Sequence, residues 1–199
     1  MTLIDPRRSW DEPLTIGVIS DTHIYEQGMR KLPEQVMALF RRAGVGLIAH
    51  LGDANVASVL RDLGEIAPVV AVYGNNDSEE LLDTLPGTLT LRLGSKRIGM
   101  VHGHGGRSAK EQVIDTYAGK VDLALYGHSH IPFMDDLKGT TILNPGSATD
   151  RRWHPHFGVA LLWCSADEIR PELILYSDPA HLASITFEGP DEPTPGGTP

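Results

Sequence analysis

Five times along this 199-residue chain, a short apolar run stops at a small polar fragment. The runs span 14–20, 46–51, 68–73, 97–101 and 121–126. They lead into Asp21-Thr22-His23, Gly52-Asp53, Gly74-Asn75, His102-Gly103-His104 and His128-Ser129-His130. Apolar runs of this length, bounded by turn residues, read as buried strands. Helical patterns separate the first three. After Pro33, Val36, Leu39, Phe40 and Ala43 fall at i, i+3, i+4 and i+7, and Gly44 closes the helix. Asn55 is placed to cap a second helix carrying Val56, Val59, Leu60 and Leu63, with Gly64 as its stop. A short helix over 78–85 follows. Strand and helix alternating with such short loops call for right-handed crossovers and a mainly parallel sheet.

Beyond Pro86 the pattern changes. Segments 88–93 and 97–101 read as a strand pair joined at Gly94-Ser95. Ser108-Ala109-Lys110-Glu111 is a capping-box sequence opening a helix to about Tyr117. Further strands are expected over 133–137, 140–143, 158–163 and 170–175. This mixture fits an α/β fold of two sheets packed face to face with helices outside. One domain over 1–183 accounts for it. The Pro-, Gly- and acid-rich segment 184–199 has too few apolar residues to offset its chain entropy and is expected to be a disordered tail.

Seventeen basic against 26 acidic residues give a net charge of −9, which disfavours long nucleic acid and anionic membranes as partners. Cys164, the one cysteine, lies in an apolar run and reads as a buried thiol, so no disulfide framework forms within the chain. The first residues lack the apolar stretch of a secretory signal. No segment approaches the roughly 18 consecutive apolar residues of a membrane span. A cytoplasmic protein is expected.

The fragments carry carboxylate, amide and imidazole donors, which suit borderline divalent transition metals. Each alone is a common turn or helix start. Their shared position at strand ends, where open α/β sheets hold their sites, is what gives them weight. In Asp21-Thr22-His23 and in His128-Ser129-His130 the donors are i and i+2, on one side of an extended segment. Asp53 has lone pairs enough to bridge two cations about 3.5–4 Å apart. His50, inside a strand, is expected to pack or to support a ligand. His154 and His156, in a loop around Pro155, read as surface residues, and His181 as uninvolved.

With these blocks in order, the chain resembles the calcineurin-like metallophosphoesterases, whose motifs are D-x-H, G-D, G-N-H-[DE], H and G-H-x-H. It is most similar to their small bacterial and archaeal phosphodiesterase branch, on Ser20-Asp21-Thr22-His23, His50-Leu51-Gly52-Asp53 and Leu143-Asn144-Pro145-Gly146-Ser147. The resemblance covers about residues 15–175. It implies a four-layer α/β/β/α sandwich of two mixed sheets and a site for two divalent metal ions. Asp21, His23, Asp53 and His130 would hold one ion; Asp53, Asn75, His102 and His128 would hold the other. Mn is the family's best fit, with Fe, Zn, Ni or Co compatible with the donors.

Many members carry His after the Gly-Asn, where this chain has Asn76. An amide can hydrogen-bond a phosphate oxygen but is no useful proton donor. His104, between Gly103 and Gly105, is the candidate acid in its place, and backbone N–H groups of 103–106 are candidate phosphate donors. Arg151 and Arg152 are candidates for gripping a substrate anion. The expected activity is hydrolysis of a small phosphoester, most naturally a diester, by a metal-bridging hydroxide. A phosphomonoesterase or nucleotide phosphatase is an alternative. So is a non-catalytic scaffold, since a eukaryotic trafficking subunit resembles this fold while lacking several ligands. The native substrate and homo-oligomerisation stay open.

Overall fold

The computed structural model describes residues 9–10, 13–105 and 108–187. Its elements run β1 (Ser9–Trp10), β2 (Leu14–Ile19), α1 (Glu34–Arg42), β3 (Leu47–His50), α2 (Ala57–Gly64), β4 (Val69–Ala71) and α3 (Glu79–Thr84). Then come β5 (Thr88–Leu93), β6 (Lys96–Val101), α4 (Ala109–Tyr117), β7 (Leu123–Tyr126), β8 (Phe133–Leu137), β9 (Thr140–Asn144), β10 (Phe157–Cys164) and β11 (Ile169–Tyr176). A 3-10 helix, Pro179–Ser184, closes the series.

The strands form two mixed sheets. One has the order β11-β10-β2-β3-β4, the other β1-β5-β6-β7-β9-β8. In the first, β2, β3 and β4 are parallel, as the β-α alternation requires, and β10 runs antiparallel to β2. In the second, β5–β6 and β8–β9 are antiparallel pairs, while β6, β7 and β9 are parallel.

The central strands β3 and β7 are buried throughout because both of their faces are covered, whereas β5, β8 and β11 keep exposed positions. Ile16, Val18, Leu47 and Leu162 of one sheet pack on Leu91, Ile98, Met100 and Leu125 of the other. On the outer face of the first sheet, Ile19, Ile48 and Leu161 meet Phe40 of α1 and Leu60 of α2. Outside the second sheet, Val113 and Tyr117 of α4 cover Ala124 and Tyr126. The four layers are therefore helix, sheet, sheet, helix. Each large side chain taken fully out of water contributes about 1.5–3 kcal/mol.

The capping box on α4 is present, with the Ser108 hydroxyl accepting from the Glu111 N–H and the Glu111 carboxylate from the Ser108 N–H. Two local expectations fail. The residue capping α2 is Val56, with no side-chain cap; Asn55 sits at φ 74° because the Asp77 carboxylate takes its N–H. The domain also runs past 183. Ile185 and Phe187 pack on the core beside Trp163, and Arg42 of α1 donates to the carbonyls of Leu182 (2.8 Å) and Ile185 (3.3 Å). Composition hides these two anchors among polar neighbours. The rest of the expected tail, 188–199, lies outside the described residues.

Candidate metal centre

The strand ends of both sheets meet at one edge. Asp21 follows β2, Asp53 follows β3 and Asn75 lies beyond β4, while His102 follows β6 and His128 follows β7. Backbone hydrogen bonds lock the ends together: Asp21 N–H to Gly52 O (3.1 Å), His23 N–H to Asp53 O (2.9 Å) and Gly127 N–H to His102 O (3.2 Å). The His128 N–H donates to the Asp21 carboxylate and so joins one sheet to the other. Glycine is required at the closest approaches. A Cβ on Gly74 would overlap the Asp53 carboxylate, and one on Gly127 would overlap the Ser20 hydroxyl.

The donors do not reach the site on extended backbone. Asp21 (φ 52°), His23 (45°), Asp53 (56°), His128 (64°) and His130 (57°) are all left-handed. The i, i+2 donors are therefore paired by left-handed turns and not, as expected, by an extended segment. Each such residue costs about 1–2 kcal/mol. Strain of this kind persists where the surroundings over-determine it, commonly at functional sites.

Two groups result, Asp21–His23–His130 and Asp53–His102–His128, with the ligand atoms of each within 4.8 Å of one another. The Asp53 Oδ2 stands between them, 3.6 Å from His23 Nε2 and 3.4 Å from His102 Nε2. His130 Nε2 lies 3.4 Å from Asp21 Oδ1 and 3.0 Å from His23 Nε2. Carbonyl partners fix two tautomers. His102 Nδ1–H donates to Leu51 O (2.7 Å) and His130 Nδ1–H to Asp150 O, so both Nε2 lone pairs point inward. The His102 Nε2 is buried without a hydrogen-bond partner among the described residues. Lone pairs and carboxylate oxygens converging on one another suit a divalent cation in each group.

The electrostatics divide the donors: Asp53, His23, His128 and His130 are shifted toward their metal-binding forms, Asp21 and His102 away from them. Burial raises the Asp21 carboxyl to about 7, although His102 and Ser20 favour its ionised form. Burial also opposes ionisation of Asp53, but His102 and both hydrogen bonds from Asn76 outweigh it and hold this carboxyl well below the usual range. His102 is raised, since Asp53 and Asp21 overcome the effect of its burial. Burial lowers His23 and His128, and brings His130 to about 4. Neutral imidazole is the metal-binding form.

Several supports escaped the sequence reading. The Asp77 carboxylate accepts the N–H groups of Asp53 (3.2 Å), Asn55 (2.7 Å) and Gly74 (2.7 Å). Ser20 Oγ donates to Asp21 Oδ2 at 2.6 Å. The Ser147 hydroxyl donates to Asp21 O (2.7 Å) and accepts the Asp150 N–H (2.8 Å). The side chain of Asn144 donates to Gly127 O (2.8 Å) and accepts the Gly146 N–H (2.8 Å). The position of Asp77 at the end of the Gly-Asn block was the available signal for it. Asp150 and its partner Arg30 gave none.

His50 supports the site without joining either group. Its Nδ1 accepts the Gly52 N–H and its Nε2 faces Thr22 Oγ1 at 3.3 Å, and burial lowers it to about 3. Asn76 donates to Asp53 through its N–H (2.8 Å) and its amide (2.7 Å). Asn75 is exposed, and its side chain makes no hydrogen bond with the described residues. His104 lies 5.5 Å from the His102 ring and 5.6 Å from Tyr73, ring centre to ring centre, and burial lowers its pKa. Of the two arginines, Arg152 is close enough for its charge to help lower His23, His128 and His130. Arg151 instead donates to His154 O (2.7 Å) and lies over the Phe157 ring. His154 and His156 face each other, away from either group. His181 is exposed, and Cys164 is buried with its thiol pushed up to about 12. In the 103–106 loop, Gly103 and Gly105 have positive φ, and Gly106 lies outside the described residues.

Residues 14–167 match the family model of the calcineurin-like phosphoesterase superfamily domain. A probable metallophosphoesterase of Methanocaldococcus jannaschii is 39% identical over 140 residues, 68% of this chain and 69% of that one. A phosphodiesterase of the same organism is 26% identical over 145 residues, 67% of this chain and 83% of that one. Among solved structures, Vps29 of Chaetomium thermophilum superposes with a TM-score of 0.67 at 23% identity, over 82% of this chain and 98% of that one.

Proposed function

The chain belongs to the calcineurin-like phosphoesterase superfamily, and from that premise we propose that it hydrolyses small phosphodiesters with two divalent cations, manganese first among them. The observation that carries the reading is the Asp53 oxygen standing between two groups of inward-facing donors. Asp21, His23 and His130 would hold one ion and His102 and His128 the other, with Asp53 common to both. Asn75, exposed in the loop after β4, would complete the second set with its amide oxygen. Bound there, the cations would acidify a water and neutralise charge on the phosphoryl oxygens.

The protein's own groups set the rest. His102 and His130 keep their Nε2 lone pairs inward because carbonyls hold their Nδ1 protons. Asn76 orients the Asp53 carboxylate and offers an N–H to a phosphoryl oxygen. Arg152 adds positive charge on the side of the first group, in a protein whose net charge of −9 would otherwise repel the substrate. His104 is the only candidate acid among the residues named from the sequence. Burial depresses its pKa, so it carries no ready second proton at neutral pH. Good leaving groups are therefore required, and diesters of nitrophenol are expected to turn over far faster than alkyl diesters.

The test is an assay of the manganese-loaded chain on bis(p-nitrophenyl) phosphate, p-nitrophenyl phosphate and an alkyl diester. The expected order is aryl diester first, with activity lost in Asp53→Asn and His128→Ala. A preference for the monoester would favour a phosphomonoesterase. Equal rates on aryl and alkyl diesters would remove the argument about the missing acid. The likeness to Vps29 concerns fold; a complete donor set with no hydrolysis of any ester would favour a scaffold.

A further inference from the structure

One ion pair stands behind the first group of donors and touches none of the second. Arg30 Nη1 lies 3.2 Å from Asp150 Oδ2 and donates to the His23 carbonyl at 3.4 Å. At the other end, the carbonyl of Asp150 accepts the His130 Nδ1–H. Asp150 is itself seated by Ser147, whose hydroxyl accepts its N–H and donates to the Asp21 carbonyl. The link thus runs from His23 to His130, whose Nε2 atoms face each other at 3.0 Å. The second group is held by other residues. Its His102 is fixed by Leu51, and its Asp53 by Asn76 and Asp77.

We propose that Arg30 and Asp150 are positioning residues that set cation affinity at the Asp21–His23–His130 position and leave the Asp53–His102–His128 position alone. The inference rests on the two-cation reading. Neither residue need touch metal or substrate. Arg30 fixes the backbone that carries His23, and Asp150 fixes the ring of His130, so the pair sets the spacing of two imidazoles. Hydrogen bonds behind metal ligands are typically worth about 10- to 100-fold in affinity. The pair is partly exposed, with side chains 38% and 29% accessible, and the Asp150 carbonyl survives substitution of its side chain. The effect therefore falls at the low end of that range.

The experiment is manganese titration of the full chain by calorimetry at fixed pH. Wild type is expected to take two ions. Arg30→Gln and Asp150→Asn should each weaken one of them by about 10-fold and leave the other unchanged. The double variant should be no weaker than either single, since both cut the same link. Arg30→Lys should recover part of the loss. Equal weakening of both positions, no weakening in either variant, or additive losses in the double variant would overturn the proposal. Melting of each variant without metal separates a folding defect from a binding one: a large loss of melting temperature in the exposed Arg30→Gln variant would make the pair structural and also overturn it. A wild-type chain that takes one ion overturns the two-cation reading itself, a result distinct from any behaviour of the variants.

Discussion

The two donor groups share an edge of the fold but are built differently. Asp53, His102 and His128 lie at strand ends braced by Asp77, whose carboxylate collects N–H groups from the loops after β3 and β4. Asp21, His23 and His130 depend instead on the distant segment 147–150, which reaches back across more than a hundred residues of sequence to the Asp21 carbonyl. Their charge states differ as well. Asp53 is held ionised by its neighbours, whereas burial keeps Asp21 near 7 and His130 near 4. Both groups face the fixed negative charge of Asp53, and the first adds a carboxyl, Asp21, that titrates near neutral pH. Two groups of nearly the same composition thus differ in how their carboxylates are held.

The strongest way to break this contrast is Asp53→Asn. Because Asp53 faces both groups, the loss should exceed the roughly 100-fold ceiling of outer hydrogen bonds, in activity and in binding at both positions together. Loss at one position alone would end its bridging role. Asp77→Ala should come next, since it strands three N–H groups, all of them on buried residues. At about 1–3 kcal/mol for each buried unsatisfied donor, a destabilisation of at least about 3 kcal/mol is expected in denaturant titration. Binding should fall first at the second position.

A smaller effect separates the two carboxylates by pH. The folded-state pKa of Asp21 is raised from 3.8 to about 7, so its contribution to stability is complete below pH 4 and lost as pH rises through 7. Without metal, Asp21→Asn should match wild type near pH 4 and exceed it in melting temperature at pH 8. Equal melting at pH 8 would show that Asp21 carries no such burden. His50 has the opposite sign. Lowered from 6.5 to about 3, it contributes stability above pH 6.5 that is lost as pH falls toward 3, so His50→Gln should flatten the acid limb of the melting curve. The smallest effect is at Asn55, left-handed and buried with both amide atoms unpartnered among the described residues. Asn55→Gly removes the left-handed strain and should stabilise the chain by about 1 kcal/mol in denaturant titration; a loss of stability would show that the Asn55 side chain contributes more than its backbone costs.

Much of this molecule is legible in its sequence. The apolar runs locate the strands, Pro33 and Gly44 bracket α1, the Ser108–Glu111 box marks α4, and the polar fragments at strand ends name the donors. What stays hidden depends on contacts between distant segments. Periodicity is silent on strand order, so nothing announces that β10 enters beside β2. The left-handed backbone at Asp21, His23, Asp53, His128 and His130 is imposed by neighbouring loops, and residue identity favours an ordinary conformation there. Asn55 has the composition of a helix cap and loses that role because Asp77 takes its N–H. Asp150 looks like a surface carboxylate until the fold brings its carbonyl to His130. Ile185 and Phe187 look like tail until they meet Trp163 and α1.

The central claim is that Asp53 is shared by two cations. Anomalous diffraction from crystals of the manganese-loaded chain tests it most directly. The account predicts two peaks about 3.5–4 Å apart with the Asp53 carboxylate between them. A single peak, or two peaks of which only one contacts Asp53, would contradict it.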